Sequence, residues 1–426
     1  MKKDIMKLMR PGSSEVVDVF DNLDMNQLKF KSKYLKYFFK VAATYSVSEE
    51  KTSSKKVALM GFNIPEELII ACGAKPVWII GGSTEATLYG DSLLARDTDP
   101  AVKSAIGMML SGEMPRLDEI DLVLIPVYSD SMRKVARILA KQFNTLTLDI
   151  PSVKGRATSV KRWCAQMLGL VEEISFITGK RPSKADLLHA AKKVSRAKKQ
   201  LQRFVAHYVD IENLLTAEIF IMILNTYYMA DDLEEWTLHL RALNDDIEKL
   251  SSGELLSFKA LGSRSNIVLA GSSILFPNMK LPRLLTDAGL AISNFETEAF
   301  NHLLIDVELE KRLFFKDMVG DIARSYYEND TSQAFTNNSA RMDSLQASIV
   351  AGDAEALIYH VIRGQVTVDF EFEKIENLFI KNGLPVLRVE TDYNYQDIEQ
   401  LRIRIEAFGE MIKSRKVNRK ENRRIG

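Results

Sequence analysis

Six short segments could carry chemistry, and each follows an apolar run that reads as a buried strand. They are Gly61-Phe62-Asn63, Gly81-Gly82-Ser83-Thr84, Tyr128-Ser129-Asp130, Gly271-Ser272-Ser273, Gly364-Gln365 and Asp392-Tyr393. Ligands of open α/β sheets sit outside the carboxyl ends of the strands, so these segments are the candidate lining of a pocket. Gly61-Phe62-Asn63 and Gly271-Ser272-Ser273 can present backbone N–H groups to an anion at a helix N-terminus, or can be tight turns with no ligand. Neither completes a G-x-G-x-x-G or phosphate-loop pattern. Tyr128-Ser129-Asp130 places a serine beside a carboxylate, but no histidine falls into triad logic with it. His189, His207, His239, His302 and His360 are scattered. His239 and His302 fall in helical stretches. His360 sits near the end of a predicted strand and reads as a core histidine, with a general base as the alternative.

Thiol chemistry is limited by number. Cys72 and Cys164 are the only cysteines. Cys72 lies in the apolar Ile69–Ala74 and reads as a small packed hydrophobe. Cys164 follows Trp163 in a helix-like stretch, and both are expected to be buried and unpaired in a reducing compartment. Two thiols cannot by themselves hold an iron–sulfur cluster or a cysteine-rich zinc site.

The elements that must position these segments are legible from hydrophobic patterning. Residues 1–50 read as an amphipathic helical segment, with Lys51–Lys55 a polar linker. A first α/β domain spans 51–155, with strands at Lys56–Gly61, Pro76–Ile80, Asp121–Val127 and Thr145–Ile150 and helices opening at Pro65 and Ser131. Pro65 at a first helical position, followed by Glu66 and Glu67, suits the N-terminal dipole. Residues 156–264 read as a helical insertion, carrying a basic amphipathic helix at Ala185–Phe204 and an apolar one at Leu214–Met229. A second α/β domain spans 265–412, with strands at Ser265–Ser272, Ala291–Phe295 (weak), Ala356–Val361 and Pro385–Val389. Its helices are expected at Pro277–Asp287 and Phe370–Asn382. A basic tail, 413–426, closes the chain and reads as a frayed, solvated end. Continuous apolar strands alternating with helices indicate two Rossmann- or flavodoxin-like domains with parallel sheets covered on both faces. The two halves look like a duplicated fold, without a clear sequence repeat.

Composition excludes several classes. The 426 residues allow two or three domains, and a formal net charge of +0 gives no field to recruit nucleic acid or a membrane surface. No apolar run approaches the roughly 18 residues needed to span a bilayer, and Met1–Lys7 lacks a signal-peptide pattern. A cytoplasmic location is expected.

The blocks Ile64-Pro65-Glu66-Glu67-Leu68, Pro65 through Val77, Thr98 through Ser104, Tyr128-Ser129-Asp130, Arg363-Gly364-Gln365, Gly383 through Leu387, Glu390 through Tyr393 and Arg402 through Phe408 resemble the 2-hydroxyacyl-CoA dehydratase and benzoyl-CoA reductase family. The resemblance runs from about Lys56 to Met411. It implies two homologous subunits, an activator ATPase that injects one electron, and a [4Fe–4S] cluster acting on an acyl-CoA thioester. It also implies that the positions of Asp99, Ser129 and Gln365 are ordinarily cysteines holding that cluster. Glu298 stands near a further position where some relatives carry cysteine. A carboxylate, a hydroxyl and an amide are not the soft thiolates a cluster needs. The expectation is therefore a subunit without its own cluster, companion to a homologous cysteine-bearing subunit, with an acyl-CoA as possible ligand. The alternative is a non-redox binding or regulatory protein, with Gly61, Asn63, Gly82, Ser83, Asp130, Ser272, Glu298, Asp392 and Tyr393 lining a pocket around the three positions.

Overall fold

A computed structural model describes residues 14–22, 32–45, 54–112, 117, 119–211, 215–250, 264–307, 309, 312–336 and 338–425. Met1–Lys7, Lys51–Ser53 and Leu214, which figure in the reading above, lie outside the described residues.

In chain order the elements are α1 (Ser14–Asn22), α2 (Leu35–Thr44), β1 (Lys56–Leu59), α3 (Glu66–Ala71), β2 (Lys75–Trp78), α4 (Thr84–Asp91), α5 (Pro100–Leu110), β3 (Ile120–Val127), α6 (Asp130–Leu139) and β4 (Thr145–Asp149). The insertion supplies α7 (Ala157–Thr178), α8 (Lys184–Ile211), α9 (Ala217–Met229) and α10 (Leu233–Glu248). The second half follows with β5 (Ser265–Gly271), α11 (Lys280–Asp287), β6 (Leu290–Thr297), α12 (Glu298–Leu304), α13 (Phe315–Asn329), α14 (Ser339–Ala351), β7 (Ala356–Ile362), α15 (Val366–Phe379), β8 (Val386–Thr391) and α16 (Ile398–Ile425).

Each half contains a four-stranded, all-parallel sheet, ordered β2-β1-β3-β4 in the first and β6-β5-β7-β8 in the second. The two orders are the same pattern, so the duplication expected from the strand runs holds at the level of topology. Central strands are buried on both faces: Leu122–Ile125 of β3 and every residue of β7 are buried. That is the burial parallel sheets require and the reason their strands read as unbroken apolar runs. Helix α9 is buried at every residue but Glu218 in its first turn, as expected for a helix apolar on nearly all sides.

Several boundaries move. The second strand stops at Trp78, short of Ile79 and Ile80. Ala291–Phe295, read as weak, belongs to an eight-residue strand with one residue incompletely buried. Helix α15 starts at Val366 rather than Phe370, and α11 starts at Lys280 rather than Pro277. The basic stretch 413–420 continues the α16 helix. Cys72 is buried but Cys164 is only half-buried, and both are free. Among the described residues no helix is long and apolar enough to cross a membrane.

The halves meet through bare backbone and short polar contacts. A Cβ on Gly82 would collide with the carbonyl oxygens of Leu275 and Phe276. Thr84 Oγ1 donates to the Tyr393 carbonyl at 2.7 Å, and the Tyr393 hydroxyl donates to the Gly81 carbonyl at 2.6 Å. Glu15 of α1 receives Ser83 Oγ at 2.8 Å and the Glu85 N–H at 2.9 Å, tying the N-terminal helix to the start of α4.

Candidate functional site

In the order 2-1-3-4 the chain leaves β1 toward one edge and returns to β3 on the other side, so β1 and β3 flank the switch point. In the second half β5 and β7 do the same. The carboxyl ends of these four strands face one cavity of about 400 Å³. Gly61 follows β1, Tyr128 and Ser129 follow β3, Ser272 and Ser273 follow β5, and Gly364 and Gln365 follow β7. Two groups arrive by other routes. Asp99 caps α5, and Glu298 opens α12 directly after the edge strand β6.

Asp99, Ser129 and Gln365 therefore share one cavity, together with Gly61, Asp130, Ser272 and Glu298. The other candidates do not line it. Asn63 is buried and donates to the Asp330 carboxylate. Gly82 and Ser83 serve the junction between halves and the N-cap of α4. Asp392 accepts from its neighbour's N–H at 2.7 Å and pairs with Arg363 at 3.5 Å, and Tyr393 spans to Gly81. Gly82, Ser83, Asp392 and Tyr393 follow the edge strands β2 and β8, away from the switch points; edge position alone does not decide it, because Gly81 after β2 and Glu298 after β6 do line the cavity.

Each polar group at the floor has a defined role. Asp99 Oδ1 accepts the Ala101 N–H at 2.9 Å, an N-cap contact. Its other oxygen accepts Gln365 Nε2 at 3.0 Å. Gln365 Oε1 receives the Ser272 hydroxyl at 2.6 Å, and Ser272 Oγ accepts the Ile362 N–H at 2.8 Å. Ser129 Oγ caps α6 by accepting the Met132 N–H at 3.2 Å. Gly364 holds φ +91, and a Cβ there would come within 2.8 Å of the Asp97 carbonyl oxygen. Glycine lets the β7 turn lie against the loop carrying Asp99.

The acids are perturbed. Burial pushes Asp99 up to about 6. Burial, with the negative charge of Asp330 next, pushes Glu298 up to about 8. Burial likewise raises Asp330 to about 6. The Tyr128 hydroxyl bonds Glu298, and burial holds its own pKa well above the usual value. Glu298 Oε1 has no partner among the described residues.

His360 is settled by its contacts. It is buried, Nδ1 lies 3.0 Å from the Ser272 carbonyl, Nε2 lies 2.7 Å from Thr391 Oγ1, and burial lowers it to about 4. It braces β7 between β5 and β8. No histidine lines the cavity.

Two features escaped the sequence. One is the loop after α13, where Ser332, Gln333 and Ala334 form a wall of the cavity; its Asn329-Asp330-Thr331-Ser332 run is a turn signal that could have flagged it. The other is a buried polar cluster below α3. Lys198 Nζ donates to the Tyr326 hydroxyl at 2.9 Å, which donates to Glu67 at 3.0 Å. Glu66 receives the Tyr227 hydroxyl and Trp78 Nε1. Burial raises Glu66 to about 7, raises Glu67 and lowers Lys198. These acids are core members rather than the surface dipole partners that a helix-start reading suggests.

The chain belongs to the 2-hydroxyglutaryl-CoA dehydratase, D-component family, whose sequence profile matches residues 62–412. It is 20% identical to the (R)-phenyllactyl-CoA dehydratase beta subunit of Clostridium sporogenes, over 85% of this chain and 93% of that one. It is 21% identical to the (R)-2-hydroxyglutaryl-CoA dehydratase subunit beta of Acidaminococcus fermentans, over 89% and 99%.

The donors at the three positions do not fit a [4Fe–4S] cluster. A carboxylate, a hydroxyl and an amide are not the thiolates such a cluster takes, Asp99 and Gln365 are bonded to each other, and Ser129 is spent as a cap. Neither cysteine lines the cavity: Cys72 Sγ, at the end of α3, lies 3.8 Å from the Val171 carbonyl of α7, and Cys164 Sγ, on α7, lies 3.6 Å from the Gly320 carbonyl of α13.

Proposed function

We infer that this chain is a companion subunit of an acyl-CoA dehydratase-type complex, one whose own cluster position has become a hydrogen-bonded pocket. The [4Fe–4S] centre is then carried by a homologous cysteine-bearing partner, reduced by an activator ATPase. This chain contributes fold, an interface and a wall of the acyl channel. The observation that carries the reading is convergence. Three positions scattered over the sequence, matched to cluster cysteines by local motif, line one cavity, and two of them are directly bonded. Ser129 and Gln365 follow central strands and would meet by topology alone; the direct bond of Gln365 to Asp99, which follows no strand, is what supports the reading. Family membership and the beta-subunit relatives support the assembly half of the reading.

Conversion back to thiols tests it. The Asp99→Cys, Ser129→Cys, Gln365→Cys triple variant, reconstituted anaerobically with iron and sulfide, is expected to acquire the colour and charge-transfer absorption of a bound cluster. A folded triple variant that stays colourless contradicts the inference of a converted site.

A second reading is favoured by the completeness of the pocket. Asp99, Gln365 and Ser272 bond to one another across its floor, its walls include Met60, Phe62, Val102 and Leu275, and its volume lies within the range of about 300–1,000 Å³ typical of small-ligand sites. On this reading the scaffold is a non-redox binding or regulatory protein.

A further inference from the structure

We propose that a file of aromatic rings running from the cavity to the surface conducts single electrons, so that a one-electron oxidant arising in the cavity is discharged at Tyr37. The inference is independent of the companion role.

The first observation is continuity. Phe62 lines the cavity, and its ring stacks on Trp78 with centroids 6.4 Å apart. Trp78 meets Tyr228 at 5.1 Å, Tyr228 meets Tyr227 at 5.4 Å, and Tyr227 meets Trp236 at 5.4 Å. Phe38 joins Trp236 to Tyr37, with centroids 6.2 and 5.4 Å away. Tyr37 is half-buried and stacks on His239 at 3.9 Å, so the file ends at solvent. Contacts in this range are favourable aromatic pairings that hold the rings in fixed order. Indole and phenol rings give up single electrons far more readily than aliphatic or phenyl groups, and electron transfer falls steeply with distance. A run of such rings in contact, with one end at a cavity and the other at water, is a route.

The second observation is a shared base. The Tyr227 hydroxyl donates to Glu66 Oε1, and Trp78 Nε1 donates to Glu66 Oε2 at 3.4 Å. A phenol that loses an electron must also lose its proton, and here the acceptor is already bonded to it. Glu66 thereby couples the ring nearest the cavity to the next phenol along the file.

The steps balance. An oxygen-derived radical in the cavity takes one electron from Trp78 and leaves an indole radical cation. Tyr227 refills Trp78 and passes its phenolic proton to the Glu66 carboxylate, becoming a neutral radical. Trp236 returns an electron to Tyr227, which recovers its proton from Glu66. Tyr37 refills Trp236 and releases its proton to water. A thiol in solution then gives the Tyr37 radical a hydrogen atom and carries the radical away.

A photochemical oxidant at the cavity rim tests this. Val366 lines the cavity and is 58% exposed. The full chain carrying Val366→Cys and Cys164→Ser is alkylated with a ruthenium polypyridyl complex. A laser flash with an irreversible electron acceptor then turns the complex into a one-electron oxidant. Peptide mass spectrometry reads which tyrosine has reacted with a phenoxyl-radical trap in solution. The expected result is trap on Tyr37, lost with Tyr227→Phe and with Trp236→Phe, and kept with Tyr208→Phe, whose ring stacks on Phe220 instead. Trp236→Tyr restores an oxidisable ring and should recover the labelling that Trp236→Phe loses, a rescue that a packing role does not predict. Glu66→Gln still accepts the Tyr227 hydrogen bond but takes no proton, and should lose the labelling as well. Absence of trap on Tyr37 in the ruthenium-labelled chain overturns the proposal. So does labelling that survives Tyr227→Phe, Trp236→Phe or Glu66→Gln in a variant that melts cooperatively.

Discussion

Gln365 Nε2 donates to Asp99 Oδ2 at 3.0 Å, and that bond joins the N-cap of α15 in the second half to the N-cap of α5 in the first. Gln365 also accepts from Ser272, so one amide holds both sides of the cavity floor. Gln365→Leu would leave the Asp99 carboxylate and the Ser272 hydroxyl each short of a partner. The expected loss is about 1–3 kcal/mol of stability, measured by urea denaturation, since an unsatisfied buried group costs about that much. An unchanged midpoint would mean that water replaces the bond freely.

Glu298 gives the pocket a pH signature. Its folded pKa is raised from 4.5 to about 8. The folded state therefore holds a proton that the unfolded chain has released, and stability falls as pH rises between those values. The stabilising effect is complete below the unfolded value and gone above the folded one. Glu298→Gln cannot titrate, so its stability should fall less steeply from pH 5 to pH 8, and the variant should gain on the unaltered chain toward the alkaline end. Parallel curves for the two proteins would contradict the assignment.

The cluster under α3 predicts strong coupling. Lys198 is fully buried and linked through Tyr326 to Glu67, and its charge acts on both Glu66 and Glu67. Lys198→Met removes the positive charge from two buried acids and should cost about 3–5 kcal/mol. Adding Glu67→Gln should recover part of that loss, because one stranded acid goes with the cation. A double-mutant cycle by denaturation measures the coupling, and an additive result would show that the groups act separately.

Gly82 tests the junction. A methyl group there meets the carbonyls of Leu275 and Phe276, rigid backbone that cannot swing aside. Gly82→Ala should push the halves apart, lower the melting temperature and loosen protection of the Tyr393 amide region in hydrogen exchange. A variant as stable as the parent would show that the halves adjust at little cost.

The strands were legible because parallel sheets bury both faces, and unbroken apolar runs such as Leu122–Ile125 and Ala356–Ile362 have few other readings. The switch-point segments were legible for the same reason, as the residues just past those runs. Helix α14 was not: it mixes serine, arginine, aspartate and glutamine and buries just Arg341 and Leu345, so its apolar period is faint. The roles of Glu66 and Glu67 were hidden because their partners Lys198 and Tyr326 come from distant elements. Two acids at a helix start look like surface groups until the tertiary fold supplies a buried cation. The orphan on Glu298 is likewise a property of packing alone.

The central claim is a companion subunit whose own cluster position is closed. Native mass measurement of the protein purified without oxygen from its own host tests it most directly. The account predicts co-purification with a homologous subunit that carries iron. Recovery alone or as a homodimer, free of an iron-bearing partner, would contradict it and leave the pocket around Asp99, Ser129 and Gln365 as the protein's own business end.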